Sequence, residues 1–247
     1  MKKLFYALVA ALVIAACSSE KTYTIEGSFD IPEILEFGDT AIERGPIEGY
    51  VYILDLNGEV LDSALIENEK FTFTGLVDAD KPYFAYLVND YAAGMFVVEP
   101  GTMQAVISMQ VSVTGTEMNT QITEMMDRVA GLESDLRDEV TAVEMSSADA
   151  LTPDTIMAIY GKYSDLVTVI VDSVYMANTD NLIGVFCINA ITAQAGSEAE
   201  LEEMIAPYSD YVKNSELIKR HFEYLKELEA NGGYDYFDEG GEGNPGD

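Results

Sequence analysis

The spacing of apolar residues changes once along this chain, near Gly115, and that change restricts the fold more than any other feature. Before Gly115 the apolar positions alternate in short runs broken by Gly, Asn and Pro, the pattern of half-buried strands. In TYTIEGSF, Tyr23, Ile25 and Gly27 share one face that Phe29 continues. Asn57-Gly58 separates two apolar runs and predicts a type I′ hairpin, because both residues tolerate positive φ. Phe71 and Phe73 alternate with Thr72 and Thr74. Further strands are expected over Tyr83 to Val88, Met95 to Val98 and Gln104 to Met109, the last two joined by a turn at Glu99-Pro100-Gly101. Asp30 to Glu48 reads as a loop. About seven strands with short connections predict an antiparallel sandwich over residues 23–115.

From Glu117 the period lengthens to that of a helix. Thr152 is placed as an N-cap with Pro153 at the first helical position, where its missing N–H costs nothing. Ile156, Ile159, Tyr160, Tyr163, Leu166, Val167, Ile170, Val174 and Tyr175 then form one apolar stripe, with Tyr160 and Tyr163 read as core. Ser197 and Glu200 have the spacing of a capping box. Leu217, Ile218, Phe222, Leu225 and Leu228 mark a last helix, ended by Asn231-Gly232-Gly233. Roughly four or five helices are expected between Glu117 and Ala230. The expected fold class is therefore α+β, an N-terminal antiparallel β-sandwich followed by a C-terminal α-helical bundle over residues 116–231. Residues 232–247, Gly-rich and acidic, predict a disordered tail. Within it Tyr234, Tyr236 and Phe237 leave open a short docking motif.

The start of the chain constrains location. Lys2 and Lys3 precede an unbroken apolar run from Leu4 to Ala16, the form of a secretory signal and too short for a bilayer span of roughly 20 residues. Ile14-Ala15-Ala16-Cys17 resembles a bacterial lipobox. The resemblance implies cleavage before Cys17, which makes residues 1–16 a signal peptide, and acylation of the Cys17 sulfur, which makes residues 17–22 a lipidated linker. Several acyl chains anchor stably where one does not. The simpler alternative is an ordinary signal peptide with an incidental cysteine. Ser18 and Ser19 follow, with no aspartate beside Cys17, so by resemblance to lipoprotein sorting patterns the outer membrane is favoured over the inner.

The chain carries Lys+Arg 13 against Asp+Glu 44, a formal charge of −31. Such a chain repels nucleic acid, whose binding depends on cations neutralising phosphates, and is pushed off an anionic lipid surface, so the lipid on Cys17 must do the tethering. The other cysteine, Cys187, lies between Val185, Phe186 and Ile188 and reads as a small core hydrophobe. A lipidated Cys17 cannot form a disulfide with it. No C-x-x-C motif occurs. His221, the only histidine, sits beside Lys219 and Arg220 on an expected helix and reads as a surface or half-buried residue. One histidine and so few cysteines exclude a transition-metal cluster of these ligands. Asp55 to Glu59 has a fragment of a calcium loop but lacks the closing acid at the right position, and a hairpin accounts for it. No G-x-S-x-G elbow and no glycine-rich phosphate loop are present, and Asp62-Ser63 reads as local backbone bonding in a strand. No catalytic residue, cofactor or metal is expected. Exposed tyrosines, among 15 Tyr and 10 Phe, are candidates for binding sugar or peptide.

Three segments carry a family resemblance: VLDSALIENEKFTFTG (Val60 to Gly75), VEPG (Val98 to Gly101) and VTGTEMN (Val113 to Asn119). They resemble the N-terminal domain of unknown function of bacterial thioredoxin-like, AhpC/TSA-type lipoproteins. NTDNLIG (Asn178 to Gly184) is similar to a turn before a helix in the same family. The resemblance implies a lipobox, a β-sandwich, helices and then a thioredoxin-fold domain with a redox C-x-x-C. Here the acidic tail stands where that domain is expected, near Gly232, and no residue corresponds to the redox cysteines. The expected function is a non-catalytic envelope lipoprotein that binds a partner protein or a ligand. The alternatives are an accessory subunit of a periplasmic thiol-disulfide relay and a cryptic enzyme.

Overall fold

A computed structural model describes residues 20–37, 40–146 and 152–230. Cys17, the signal sequence and the acidic tail lie outside the described residues. The chain divides into two compact units, Met1–Ile170 and Val171–Asp247.

Eight strands of the first unit build two four-stranded sheets. One has the order β10 (Val111–Thr114), β9 (Gly101–Ile107), β1 (Glu20–Phe29), β6 (Lys70–Asp78). The other has the order β5 (Val60–Leu65), β4 (Tyr50–Leu54), β7 (Tyr83–Val88), β8 (Ala93–Val98). The α+β layout expected from the change of period is thus present, with one departure in pairing: β1 and β9 run parallel, while the other ladders of the two sheets are antiparallel.

The alternation read in the sequence decides which side chains are buried. Ile25, Phe73, Met103, Ile107, Ile53, Leu87 and Phe96 fill the space between the sheets, each contributing about 1.5–3 kcal/mol through burial. Gly27 stands opposite Phe71 and Gly75 opposite Tyr23 in the β1/β6 ladder. The Phe71 ring lies where a Gly27 side chain would go, and a Cβ on Gly75 would come 2.6 Å from the Tyr23 ring. Ring over glycine restores the apolar area that the glycine lacks.

The turns differ from expectation in an instructive way. Gly58 has φ +80° but Asn57 is not left-handed, so the loop is not type I′. Asp55 Oδ1 accepts the N–H groups of Asn57 and Glu59, both at 2.8 Å, and Gly58 N–H donates to Asp55 O at 3.1 Å. That carboxylate fixes a right-handed turn followed by a left-handed glycine, the three-residue hairpin loop. The two-residue turn with both φ positive is instead Asn68-Glu69, φ 54° and 57°, where Glu67 and Lys70 exchange backbone bonds of 2.9 and 3.1 Å. The expected loop from Asp30 to Glu48 contains a hairpin, β2 (Ile34–Phe37) and β3 (Thr40–Glu43). Arg44 closes its base: the backbone N–H donates to Glu33 O at 2.8 Å, Nε to Ile31 O at 3.0 Å and Nη1 to Glu69 Oε1 at 2.8 Å. Sequence patterning missed this because the closing bonds come from an arginine outside the strands.

Among the described residues six helices follow: α1 (Glu117–Ser146), α2 (Pro153–Met176), α3 (Leu182–Thr192), α4 (Glu198–Ile205), α5 (Asp210–Lys213) and α6 (Glu216–Ala230). The expected caps of α2 and α4 form, Thr155 N–H donating to Thr152 Oγ1 at 3.2 Å and Glu200 N–H to Ser197 Oγ at 3.2 Å. On α2, Ile159, Tyr163, Ile170 and Tyr175 are buried, but Tyr160 and Leu166 are exposed. The stripe is narrower than the pattern suggested, because Tyr163, not Tyr160, meets α1 by donating from its hydroxyl to Glu139 Oε2 at 2.9 Å. In the second unit Asn181 caps α3, its Oδ1 accepting Ile183 N–H at 2.9 Å and its Nδ2 donating to Asn178 Oδ1 at 2.8 Å. Gly184 packs against the Asn178 carbonyl with no room for a side chain.

Gly184→Ala is expected to destabilise the second unit by about 2 kcal/mol or more, since the obstacle is backbone. Gly161→Ala, in open space on α2, is expected to stabilise by about 0.5–1 kcal/mol. Urea denaturation followed by circular dichroism reads both, and a neutral Gly184→Ala would contradict the packing described.

Candidate functional site

VEPG and VTGTEMN, separate in sequence, meet at one joint. Glu99 and Pro100 follow β8, and Gly101 (φ +124°) starts β9. β10 ends at Thr114, and Gly115 (φ +94°) turns the chain into α1; a Cβ on Gly115 would come 2.6 Å from Thr102 O. Both turns therefore need glycine. Glu99 Oε1 accepts the N–H groups of Met118 and Asn119 at 3.0 and 3.2 Å. A carboxylate there satisfies donors that the first turn of α1 leaves open and complements the helix dipole.

Asn119 completes the joint. Its Nδ2 donates to Val97 O at 2.7 Å, and Val97 N–H donates to its Oδ1 at 2.9 Å. This is the pair of bonds that the peptide group of a neighbouring strand would make with β8. Nδ2 also lies 3.1 Å from Glu99 Oε1 and 3.0 Å from Thr116 Oγ1. Thr123 Oγ1 donates to Val113 O on β10 at 2.7 Å. Glu99, Thr116 and Asn119 are all buried, and among the described residues no buried side-chain nitrogen or oxygen lacks a partner. One border of the sandwich is thus closed by α1.

The opposite border differs. β5 ends its sheet, and among the described residues no strand pairs with its outer edge. Leu61 and Leu65 are 49% and 51% exposed, and next to them on β4 Tyr50 is 51% exposed. Tyr50 stands opposite Leu65, and Tyr52 opposite Ser63 and Val88. The Tyr50 and Tyr52 rings are 6.2 Å apart. These residues make an aromatic and aliphatic outer face, of the composition that interaction surfaces favour. The four strands of this sheet contain no Lys or Arg, and their one charged residue is Asp62.

The residues singled out in the sequence are scattered. Cys187 on α3 is buried, and burial first, then the nearby Asp172 charge, pushes its thiol up to about 11. His221 on α6 is half-buried and burial lowers its pKa. A groove of about 530 Å³ is lined by Glu202, Ile205, Ala206, Lys213 and Phe222. Lys213 Nζ donates to Ala206 O at 2.8 Å, which employs the ammonium in capping α4. The Asp55 carboxylate is engaged in its own loop as described, and Asp62 Oδ1 accepts Ser63 N–H at 2.8 Å. Among the described residues no group of His, Cys, Asp and Glu is arranged to hold a metal, and no helix is long and apolar enough to cross a membrane. Tyr50 and Tyr52 could have been found from the alternation of YVYIL, whose valine and isoleucine take the core side. Asn119 gave no signal beyond its place in VTGTEMN.

Residues 23–122 match a family model described as a domain of unknown function, DUF4369. The match spans the sandwich and ends in the first turns of α1, so it contains the Glu99–Asn119 joint. No curated protein and no solved structure matches the chain.

The Cys187 thiol gives a pH signature. Its folded-state pKa is raised to about 11, whereas an unfolded cysteine titrates near about 8.5. Between these values the unfolded chain has released a proton that the folded chain retains, so stability falls as pH rises. Relative to Cys187→Ala, wild type is expected to lose stability from about pH 9 to about pH 11. Parallel denaturation curves for the two proteins across that window would contradict the placement of the thiol.

Proposed function

We propose that this chain is a non-catalytic, lipid-anchored binding module of the bacterial cell envelope. The lipid on Cys17 holds it to the outer membrane, and the outer face of β5, β4 and β7 receives a partner. The observation that carries the reading is the exposed Tyr50, Tyr52 and Leu65 cluster on a sheet whose strands have no cation. An apolar patch left in water by a chain otherwise rich in charge marks an interaction surface. The signal and lipobox pattern before Cys17 supports the envelope location, and the high negative charge supports tethering by lipid rather than by electrostatics.

An accessory role in a thiol-disulfide relay is supported only by the family resemblance. Such a role would use this chain as a surface and not as a thiol, because exchange needs an accessible thiolate and Cys187 is buried with its thiol pushed up to about 11.

Metabolic labelling with a clickable fatty acid, followed by membrane fractionation, tests the reading. Wild type is expected to incorporate label and sediment with outer membrane, and Cys17→Ser to do neither. In an insulin-reduction assay wild type and Cys187→Ser are expected to give the same background rate. A soluble unlabelled wild type would remove the anchor from the account, and a rate that depends on Cys187 would replace it with thiol chemistry.

A further inference from the structure

We infer that the outer edge of β5 accepts an extended, cationic segment of a partner protein as an added strand. The inference rests on the binding-module reading and names the partner's chemistry. The two borders of the sheet are treated differently by the fold. At β8 the Asn119 carboxamide occupies the backbone of Val97, so that border cannot take another strand. At β5 no strand among the described residues plays that part, and the one side chain that engages the edge is Asp62, whose Oδ1 accepts Ser63 N–H at 2.8 Å and must yield to an incoming strand. Alternate residues of an edge strand turn their N–H and C=O groups away from the sheet, and an incoming strand satisfies them.

Natural edges are protected by Lys, Pro or an inward charge. Val60-Leu61-Asp62-Ser63-Ala64-Leu65 has neither Lys nor Pro, and its protection is the single half-buried Asp62. A carboxylate in the middle of an edge rejects some strands and selects others. A second copy of this chain would bring another Asp62 and its surrounding acids against this one. A segment with Lys or Arg beside Asp62 gains an opposite charge. Exposed acids stand at both ends of the β4–β5 pair, Glu48 and Glu67 at one end, where Lys70 lies opposite Glu67, and Glu59 at the other. Leu61, Leu65, Tyr50 and Tyr52 supply the apolar face on which alternate side chains of the added strand pack. The occupant is therefore a strand that alternates β-branched residues with Lys or Arg.

Isothermal titration of the full chain with an acetylated octapeptide alternating Val and Lys tests this, with two controls: the same peptide with Glu for Lys, and one with a central Pro. Binding is expected for the Val-Lys peptide alone and to weaken as salt is raised from about 50 to 500 mM. Leu61→Lys and Leu65→Lys alter exposed positions. Each is expected to keep the wild-type circular dichroism and to weaken peptide binding by about tenfold or more through like-charge repulsion. Equal binding of the Glu or Pro peptide, or no effect of the two variants, overturns the proposal. So does a concentration-dependent dimer in sedimentation that Leu65→Lys abolishes, which would make a second copy the occupant. If the peptide fails to bind while a purified envelope partner, identified by crosslinking, binds with an affinity that Tyr50→Ala and Tyr52→Ala reduce, the edge proposal falls and the binding-module reading stands.

Discussion

The carboxamide of Asn119 makes with Val97 the two bonds that a further strand would make, and from this joint the arrangement of the first unit follows. It ends one sheet, starts α1 and fixes the β8–β9 turn against that helix through Glu99. Each neutral bond of this kind contributes about 1 kcal/mol net, and those to a carboxylate about 1.5–3 kcal/mol. More important is the asymmetry of loss. Removing the Asn119 carboxamide would leave the Val97 N–H and C=O without partners inside a buried border, while Glu99 Oε1 keeps the Met118 and Asn119 N–H groups, at a cost of several kcal/mol by the same accounting. The glycines at 101 and 115 belong to the same device, since each takes a backbone conformation that a side chain resists.

A sheet with one border closed in this way has only one other border to offer. β5 is short, apolar and guarded by a single acid, and it adjoins the tyrosines of β4. The proposed binding face follows from the placement of that helix: α1 packs on β8 and β10, and among the described residues no strand pairs with the far border at β5. Its chemistry is the chemistry of the sheet's own strands, aromatic and aliphatic with no positive charge.

Much of this was legible in the sequence. The alternation of Tyr23, Ile25 and Gly27, and of Phe71 and Phe73, gave the correct core face, because a strand's side-chain period is fixed by backbone geometry. Thr152-Pro153 and Ser197 gave the starts of α2 and α4 because capping is local. What failed was non-local or competitive. Asn57-Gly58 lost its expected turn to the carboxylate of Asp55, the β2–β3 hairpin depends on Arg44, and Tyr160 yielded its place to Tyr163 through a partner on another helix. Asn119 carries no local signal beyond its place in VTGTEMN. No rule of spacing says that an asparagine at the start of a helix will pair with a strand some twenty residues before it.

Hydrogen exchange followed residue by residue by NMR tests the contrast between the two borders. In the wild type the Val97 amide is expected to exchange as slowly as the core amides of β1, while alternate amides of Val60–Leu65 exchange much faster. In Asn119→Leu the Val97 amide is expected to join the fast group and β5 to remain unchanged. Protection of all β5 amides to the level of Val97 would mean that the edge is already covered. A slow Val97 amide in Asn119→Leu would mean that the carboxamide does not close the sheet.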